Sequence, residues 1–255
     1  MILLIGGTSE TAPLASVLAA AGYEVLVSTA TNAPLVIGDH PRISRREGRL
    51  DEEGMVALAG KMGIRAIVDA AHPYAVDAHT VAQKAAQRLG IPCFVFRRAE
   101  ADTKGENVRF AADHDEAAEI AFAFGRPVLL TTGSRNLAPY AEAARRTGVP
   151  YIVRVLDSLE SRDACRAAGI LEDRIIAGRG PFSVEENLAA IRRFGIGVIV
   201  TKESGRTGGV EAKLAAASQT HCRVIVIRRP ETLISGPVFD DPATLISALK
   251  DIAAH

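Results

Sequence analysis

A glycine pair and two hydroxyl residues follow the first apolar run of this chain, which has 255 residues. Gly6 and Gly7 would let the backbone approach a ligand closely, because neither residue carries a Cβ atom. Thr8 and Ser9 offer hydroxyl groups, and Pro13 suits the first turn of a following helix. Free N–H groups at a helix N-terminus attract phosphate. The stretch therefore indicates a dinucleotide-binding turn, although its glycines lack the G-x-G-x-x-G spacing.

Glu10 is the unexpected residue of this turn, because a carboxylate directed at a pyrophosphate would repel it. Two roles are open for its side chain. It either caps the following helix or accepts hydrogen bonds from ribose hydroxyl groups. For the whole stretch, the alternative to a coenzyme site is a turn that only connects a strand to a helix.

Ser28 and Thr29 end the second apolar run, and the five residues from position 28, STATN, include no carboxylate. Domains that bind NAD usually place Asp or Glu there to bind the adenosine ribose. With hydroxyl donors present and no negative charge to repel a 2′-phosphate, the stretch favours NADPH over NADH. Arg49 could add a positive charge to this site, or it could be an ordinary surface residue.

His72 and Tyr74 lie in the sequence DAAHPYA, which follows the apolar run at residues 66–69. Both side chains can donate a proton or a hydrogen bond to a reacting group. In a dinucleotide-binding fold, the loop after this strand meets the nicotinamide ring, so the two residues are candidate catalytic groups. The alternative is that the His-Pro pair only begins the next helix.

Polar and basic residues recur where strands of the second half of the chain end. Charge-assisted hydrogen bonds from such side chains are strong where water is excluded, so together they would bind a polyanionic substrate. Each of them alone is explained equally well as a solvated surface charge. The residues are Ser134, Arg135, Arg154, Arg179, Lys202 and Lys213.

The elements that must position these residues are strands and helices in alternation, which indicates an α/β fold with parallel sheets. Continuous apolar runs are typical of parallel strands that are covered on both faces. The predicted strands span residues 2–5, 24–28, 66–69, 93–96, 128–131, 151–155, 174–176, 198–201 and 223–227. The predicted helices include residues 13–21, 75–89, 139–147, 184–194 and 210–218.

The chain also resembles itself: residues 2–28 align without gaps on residues 128–154. GIRAIVDA at 63–70 likewise matches GIGVIVTK at 195–202. These repeats predict two Rossmann-like, doubly wound parallel-sheet domains related by internal duplication, over residues 1–100 and 101–255. The polar stretch 97–110 would connect them, and the active site would lie in the cleft between them at the carboxyl ends of the strands.

The composition excludes several classes of protein. Thirty basic and thirty acidic residues give a formal net charge of zero, so a broad surface for nucleic acid is not expected. Three cysteines and six scattered histidines show no metal-binding spacing. No apolar run is long enough to span a membrane, and a strand at residue 2 leaves no room for a signal peptide. We therefore expect a cytoplasmic protein without a metal site.

Taken together, the motifs resemble those of the precorrin-6A reductases of cobalamin (vitamin B12) biosynthesis. The resemblance runs from residue 2 to about residue 230 and rests on ILLIGGTSE, DAAHPYA, TTGS, GRGPFSVEEN, VTKESGRTGGVEAKLAAA and VIRRP. It implies an oxidoreductase that uses NADPH to reduce precorrin-6A to precorrin-6B, with hydride going to C19 and a proton to C18. Some relatives reduce the cobalt-containing analogue, and the motifs leave both substrates open.

The resemblance also implies roles for individual residues. The turn Gly6–Glu10 would bind the coenzyme, and His72 and Tyr74 would face the reaction. Four residues of the second half would bind the carboxylates of the tetrapyrrole: Arg179, Lys202, Ser204 and Lys213. The family often carries an arginine in the helix after GGTxE, where this chain has Ala12 and Pro13. Ser28, Thr29 or Arg49 would then replace its contact with the coenzyme.

Two other functional classes also fit paired domains of this kind. One is a nucleotide-sugar transferase or epimerase, and the other is a non-catalytic module that senses NADP. For the reductase, the expected partner is the small tetrapyrrole substrate, with neither nucleic acid nor membrane. Transient contact with neighbouring enzymes of the pathway is a further expectation.

Overall fold

The chain forms two compact units, each built around a parallel sheet of six strands. The computed structural model describes residues 1–31, 35–97, 103, 105–204, 209–230 and 236–253. The first unit comprises Met1–Arg98 and Glu231–His255, and the second comprises Ala99–Pro230. Two Rossmann-like α/β sheets were predicted, and this fold class is confirmed.

The first unit begins with five strands, of which all but the edge strand β3 are largely buried and apolar. They are β1 (Ile2–Ile5), β2 (Val25–Thr29), β3 (Ile43–Glu47), β4 (Ala66–Asp69) and β5 (Cys93–Phe96). Three helices connect them: α1 (Thr11–Ala20), α2 (Glu52–Met62) and α3 (Val76–Leu89). Every residue of β1, β2 and β4 is buried, as expected for central parallel strands covered on both faces.

The second unit repeats this pattern. Its strands are β6 (Val108–Ala111), β7 (Val128–Leu130), β8 (Tyr151–Val155), β9 (Ile175–Ala177), β10 (Val198–Lys202) and β11 (Arg223–Ile227). Its helices are α4 (His114–Phe122), α5 (Ala138–Thr147), α6 (Leu159–Ala167), α7 (Val184–Phe194) and α8 (Val210–Thr220), and one 3₁₀ turn covers Glu172–Arg174.

The last elements, β12 (Val238–Phe239) and α9 (Pro242–Ala253), return to the first unit. The sheet orders are β3-β2-β1-β4-β5-β12 in the first unit and β9-β8-β7-β10-β11-β6 in the second. Both match the Rossmann order 3-2-1-4-5-6. Each unit therefore takes its sixth strand from the segment that follows the fifth strand of the other unit.

This exchange corrects the predicted domain boundaries. Residues 101–255 were assigned to one domain, but Glu231–His255 belongs with the first unit. The predicted connection at 97–110 ends inside a strand, because β6 begins at Val108. Residues 98–102 and 104 of that stretch lie outside the described part of the chain.

Two apolar clusters cover the two faces of the first sheet. Leu4 and Val68 pack with residues of α1 and α9 on one face. Leu3 and Ile67 pack with residues of α2 and α3 on the other. This alternation follows from the two-residue period of a strand, and it leaves the carboxyl ends of the strands uncovered for loops that carry function. Within the described residues, no helix has the length and apolar character needed to cross a membrane.

Candidate functional site

The turn after β1 is held by a buried hydroxyl group that the sequence reading missed. Thr11 Oγ1 accepts hydrogen bonds from the N–H groups of Gly7 and Thr8, at 2.9 and 3.1 Å. A Cβ atom on Gly6 would come within 2.5 Å of Thr11 Cγ2, so only glycine fits there. Gly7 has a φ of 119°, which other residues rarely adopt, and its surroundings are open. Glycine is therefore required at position 6 by the lack of space and at position 7 by the backbone conformation.

Glu10 occupies the N-cap position of α1, but its side chain makes no capping hydrogen bond. The helix-cap role proposed for it is therefore wrong. Ser9 Oγ lies 3.3 Å from Glu10 Oε2 and donates to it. Glu10 instead lines a small pocket in the first unit.

That pocket lies at the carboxyl ends of β1, β4 and β5, where a Rossmann fold binds its ligand. Its lining combines apolar side chains with one carboxylate and two cationic or titratable groups. The lining residues are Thr8, Glu10, Ala70, Ala71, Pro73, His79, Phe96 and Arg97.

A second group missed in the sequence is the buried pair Asp69 and His79. Their side chains are 0% and 7% exposed, and Asp69 Oδ2 lies 2.6 Å from His79 Nδ1. Asp69 ends β4 and His79 lies in the first turns of α3, ten residues later. Asp69 could have been noticed in the sequence, because it is an acidic residue at the end of a central strand. Its partner His79 could be identified only from the fold.

His72 and Tyr74 are brought together in the loop between β4 and α3. The Tyr74 N–H donates to His72 Nδ1 at 3.3 Å, and the two ring centroids are 5.7 Å apart. His72 is exposed and Tyr74 is half-buried, so both are accessible to a ligand. Their assignment to the reaction stays a prediction.

The ends of β2 and β3 place two arginines against Ser28 and Thr29. Arg46 Nη1 donates to Ser28 Oγ at 2.9 Å, and Arg45 Nε donates to Thr29 Oγ1 at 3.2 Å. Arg49, the arginine named from the sequence, is exposed in the loop after β3. The two arginines are visible in the sequence ISRRE, but this segment is too polar to be recognised as a strand from the sequence.

Arg154 and Lys213 are buried together in the second unit, with 5% and 8% of their surfaces exposed. Arg154 Nη1 donates to Asn187 Oδ1 at 2.7 Å, and its guanidinium lies 4.2 Å from the centre of the Phe182 ring. Among the described residues, its Nε has no hydrogen-bond partner. Burial and the positive charge of Arg154 lower the pKa of Lys213 to about 8. Desolvation also lowers the pKa of Arg154.

The other predicted residues of the second half lie in its loops and at its strand ends. Lys202 ends β10 and is half-buried, and burial together with the charge of Arg135 lowers its pKa. Ser134 Oγ donates to Ser161 Oγ at 3.4 Å. Arg179 is exposed in the loop after β9, and Ser204 is half-buried after β10. The positive charge of Arg135 thus acts on Lys202, and that of Arg154 acts on Lys213.

His114, at the start of α4, was not singled out from the sequence. Its Nδ1 lies 2.8 Å from Tyr140 Oη and its Nε2 lies 3.0 Å from Asn136 Nδ2. Burial and the charge of Lys202 lower the pKa of His114 to about 4, so the ring is neutral. It can therefore hold the loop that carries Arg135 without adding to the positive charge.

The described part of the chain contains no group of three His, Cys, Asp or Glu side chains that could hold a metal ion. Cys93, Cys165 and Cys222 are all free thiols.

Comparison with known proteins identifies the family. The model of the family described as "Precorrin-6x reductase CbiJ/CobK" matches residues 1–250. A cobalt-precorrin-6A reductase of Priestia megaterium is 34% identical over 250 residues, covering 98% of both chains. A precorrin-6A reductase of Rhodococcus erythropolis is 34% identical over 251 residues, covering 96% of both. A solved CobK precorrin-6A reductase aligns with a TM-score of 0.81 at 28% identity, covering 99% of this chain and 97% of that one. The chain belongs to the precorrin-6x reductase family.

Proposed function

We propose that this chain reduces precorrin-6A, or its cobalt-containing analogue, with NADPH as the coenzyme. The observation that carries the substrate class is the full-length similarity to reductases named for these two compounds. When bound, NADPH supplies the hydride, which goes to C19 of the macrocycle while a proton goes to C18. The protein contributes position and charge to this reaction.

The first unit contains groups that fit NADPH. Arg45 and Arg46 flank the hydroxyl groups of Thr29 and Ser28 at the end of β2, where a 2′-phosphate is expected in this fold. A guanidinium binds phosphate through paired N–H groups, so this pair favours NADPH over NADH. The open backbone at Gly7 and the hydroxyl groups of Thr8 and Ser9 would bind the pyrophosphate.

The second unit contains groups that fit the carboxylates of the tetrapyrrole. Arg154 and Lys213 are cations held largely out of water, and a carboxylate ligand would offset the cost of their burial. Arg135 and Lys202 form a second pair of cations, and Ser134, Arg179 and Ser204 offer further donors. Several carboxylates bound in this way would fix the orientation of the macrocycle.

Proton delivery falls to His72, Tyr74 or an ordered water molecule. The Tyr74 N–H occupies His72 Nδ1, so the proton of the neutral imidazole lies on Nε2. Nε2 can then donate a hydrogen bond to a ligand, and the phenol of Tyr74 can do the same. Substitution of His72 by Asn should lower kcat if His72 acts in the reaction, and should change only thermal stability if it does not.

An anaerobic assay with precorrin-6A, or with its cobalt analogue, tests the proposal directly. We expect oxidation of NADPH and a mass increase of two hydrogens in the tetrapyrrole. Tight binding of NADPH without oxidation would favour the sensing module. Binding of a UDP-sugar in place of NADPH would favour the nucleotide-sugar enzyme.

Coenzyme selectivity is tested by Arg46→Ala. Loss of a charge-assisted contact to phosphate should weaken NADPH binding by about tenfold or more and leave NADH binding unchanged. Arg42→Ala is the matched control, because Arg42 is an exposed arginine just before β3 that pairs with Glu24. Equal affinities of the parent protein for NADPH and NADH, measured by calorimetry, would contradict the role given to Arg45 and Arg46.

A further inference from the structure

Asp69 makes contacts at both oxygens of its carboxyl group in the first unit. Its Oδ1 accepts the N–H of Ala71 at 3.1 Å, and its Oδ2 lies 2.6 Å from His79 Nδ1. The short contact with His79 needs one shared proton, because two bare acceptors would repel each other. Imidazole is a stronger base than a carboxylate, so we assign the shared proton to His79 Nδ1.

The other ring nitrogen of His79 also faces an acceptor. His79 Nε2 lies 3.2 Å from the backbone oxygen of His72, and a carbonyl oxygen can only accept. A neutral imidazole with its proton on Nδ1 would turn a lone pair toward that oxygen. With the shared proton on Nδ1, both nitrogens carry hydrogen, and the arrangement favours the imidazolium form.

We propose that His79 is a positioning residue, a buried imidazolium that anchors the backbone of the loop carrying His72 and Tyr74. The His72 oxygen also accepts the N–H of Ala75 at 2.7 Å, so the anchor acts on the hydrogen bond that closes this loop. The effect of His79 on catalysis rests on the proposed function. Its positive charge and its hydrogen bond to the backbone oxygen of His72 do not.

The charges around His79 favour this form. Within the described residues, the charged and titratable groups that face it are Asp69, His72, Arg97 and Glu10. Burial lowers the pKa of His79, but the hydrogen bond and charge of Asp69 and the His72 carbonyl outweigh burial and Arg97. The pKa is therefore raised above its ordinary value of 6.5. The contribution of protonated His79 to the stability of the fold is complete below pH 6.5 and is lost as the pH rises through the raised pKa.

Nitrogen-15 NMR of the full chain tests the protonation state. We expect both ring nitrogens of His79 to be protonated at pH 7, and Asp69→Asn to lower the pKa of His79 by at least one unit. A neutral His79 at pH 6, or a pKa unchanged by Asp69→Asn, would overturn the proposal. Exchange of the Ala75 amide hydrogen should be at least tenfold faster in His79→Gln, and an unchanged rate would also overturn it.

Steady-state kinetics test the catalytic consequence. His79→Gln should lower kcat at least fivefold, leave the Kd of NADPH within about threefold, and remove the alkaline decline of kcat that the parent protein shows at the pKa of His79. His40→Gln is the control, since His40 lies in the connection between β2 and β3. An unchanged alkaline decline in His79→Gln would overturn the link to catalysis. If the parent protein reduces no tetrapyrrole, the proposed function fails. The NMR and hydrogen-exchange results would still decide whether His79 is protonated and anchors the loop.

Discussion

Arg154 and Lys213 hold two like charges out of water, an arrangement that costs stability unless a ligand compensates it. Desolvation and mutual repulsion are the two causes, and both lower the pKa of Lys213. A chain selected for stability alone would place apolar side chains there. Under the proposed function, a carboxylate of the substrate would offset this cost.

Lys213→Met should therefore raise the melting temperature at pH 7 while it raises the KM for the tetrapyrrole about tenfold. The pKa of Lys213 is about 8 in the folded chain against an ordinary value of 10.5. The cost of burying the charge is complete below pH 8 and disappears as the pH approaches 10.5. The difference in melting temperature should shrink over the same interval.

Lys84→Met is the control for Lys213→Met, because Lys84 is exposed on α3. It should change neither the melting temperature nor the KM appreciably. A gain in stability for Lys213→Met with an unchanged KM would show that Lys213 is a buried lysine without a role in binding.

The candidate residues that the sequence could reveal were those next to glycine turns and apolar strands. Arg154 and Lys213 were proposed in this way; the structure shows that both are buried, and their role in binding stays a prediction. Thr11 and His79 were not. Thr11 acts on the backbone of the turn just before it, and no side-chain pattern in the sequence marks that contact. His79 acts through a contact with the end of β4 that exists only after helix and strand have packed. Arg46 was missed because it lies in a strand whose exposed residues carry charge.

Helix α7 is the element that positions Arg154. It begins with a capping box in which Ser183 and Glu186 satisfy each other's backbone N–H groups. One turn later, Asn187 accepts from Arg154 and donates to the oxygens of Phe182 and Ser183. The start of the helix is thus joined to the cation by a single buried amide.

Asn187→Ala should raise the KM for the tetrapyrrole and lower the free energy of unfolding by about 1–3 kcal/mol, because it leaves buried polar groups without partners. Ser183→Ala is the matched variant. It should cost about 1 kcal/mol through loss of the cap, yet leave the KM unchanged because the bond between Asn187 and Arg154 remains. Denaturant unfolding and steady-state kinetics separate the two effects. Equal KM values for both variants would contradict the positioning role of α7.

The central strands were all predicted, whereas β9 was the one edge strand of the two described sheets that was predicted. Helix α7 was predicted with its observed bounds, since SVEE at its start and Gly195 at its end are strong local signals. The strands β3, β6 and β12 were missed. Each lies at the edge of a sheet, and their exposed residues interrupt the apolar runs that identify a buried strand.

The whole chain is organised by the exchange of its sixth strands. The segment after β5 completes the second sheet, and the segment after β11 completes the first. Both segments continue into a helix whose preceding aspartate, Asp113 or Asp241, accepts the N–H three residues later. The repeat in sequence indicated two similar domains, but it could not show which sheet each of these segments joins.

Leu245→Ala tests whether the C-terminal segment belongs to the first unit, as in the structure, or to a second domain that begins at residue 101, as the sequence predicted. Leu245 of α9 is buried in the same apolar cluster as Leu14 and Phe94, so the cavity should cost about 2–5 kcal/mol. Hydrogen exchange should accelerate in β1 and β4, far away in sequence, and stay unchanged in β7 and β10. Leu129→Ala, in the cluster of the second unit, should give the reverse pattern. Faster exchange in β7 and β10 of Leu245→Ala would show that the C-terminal segment is coupled to the second unit, because a cavity destabilises first the core that it interrupts.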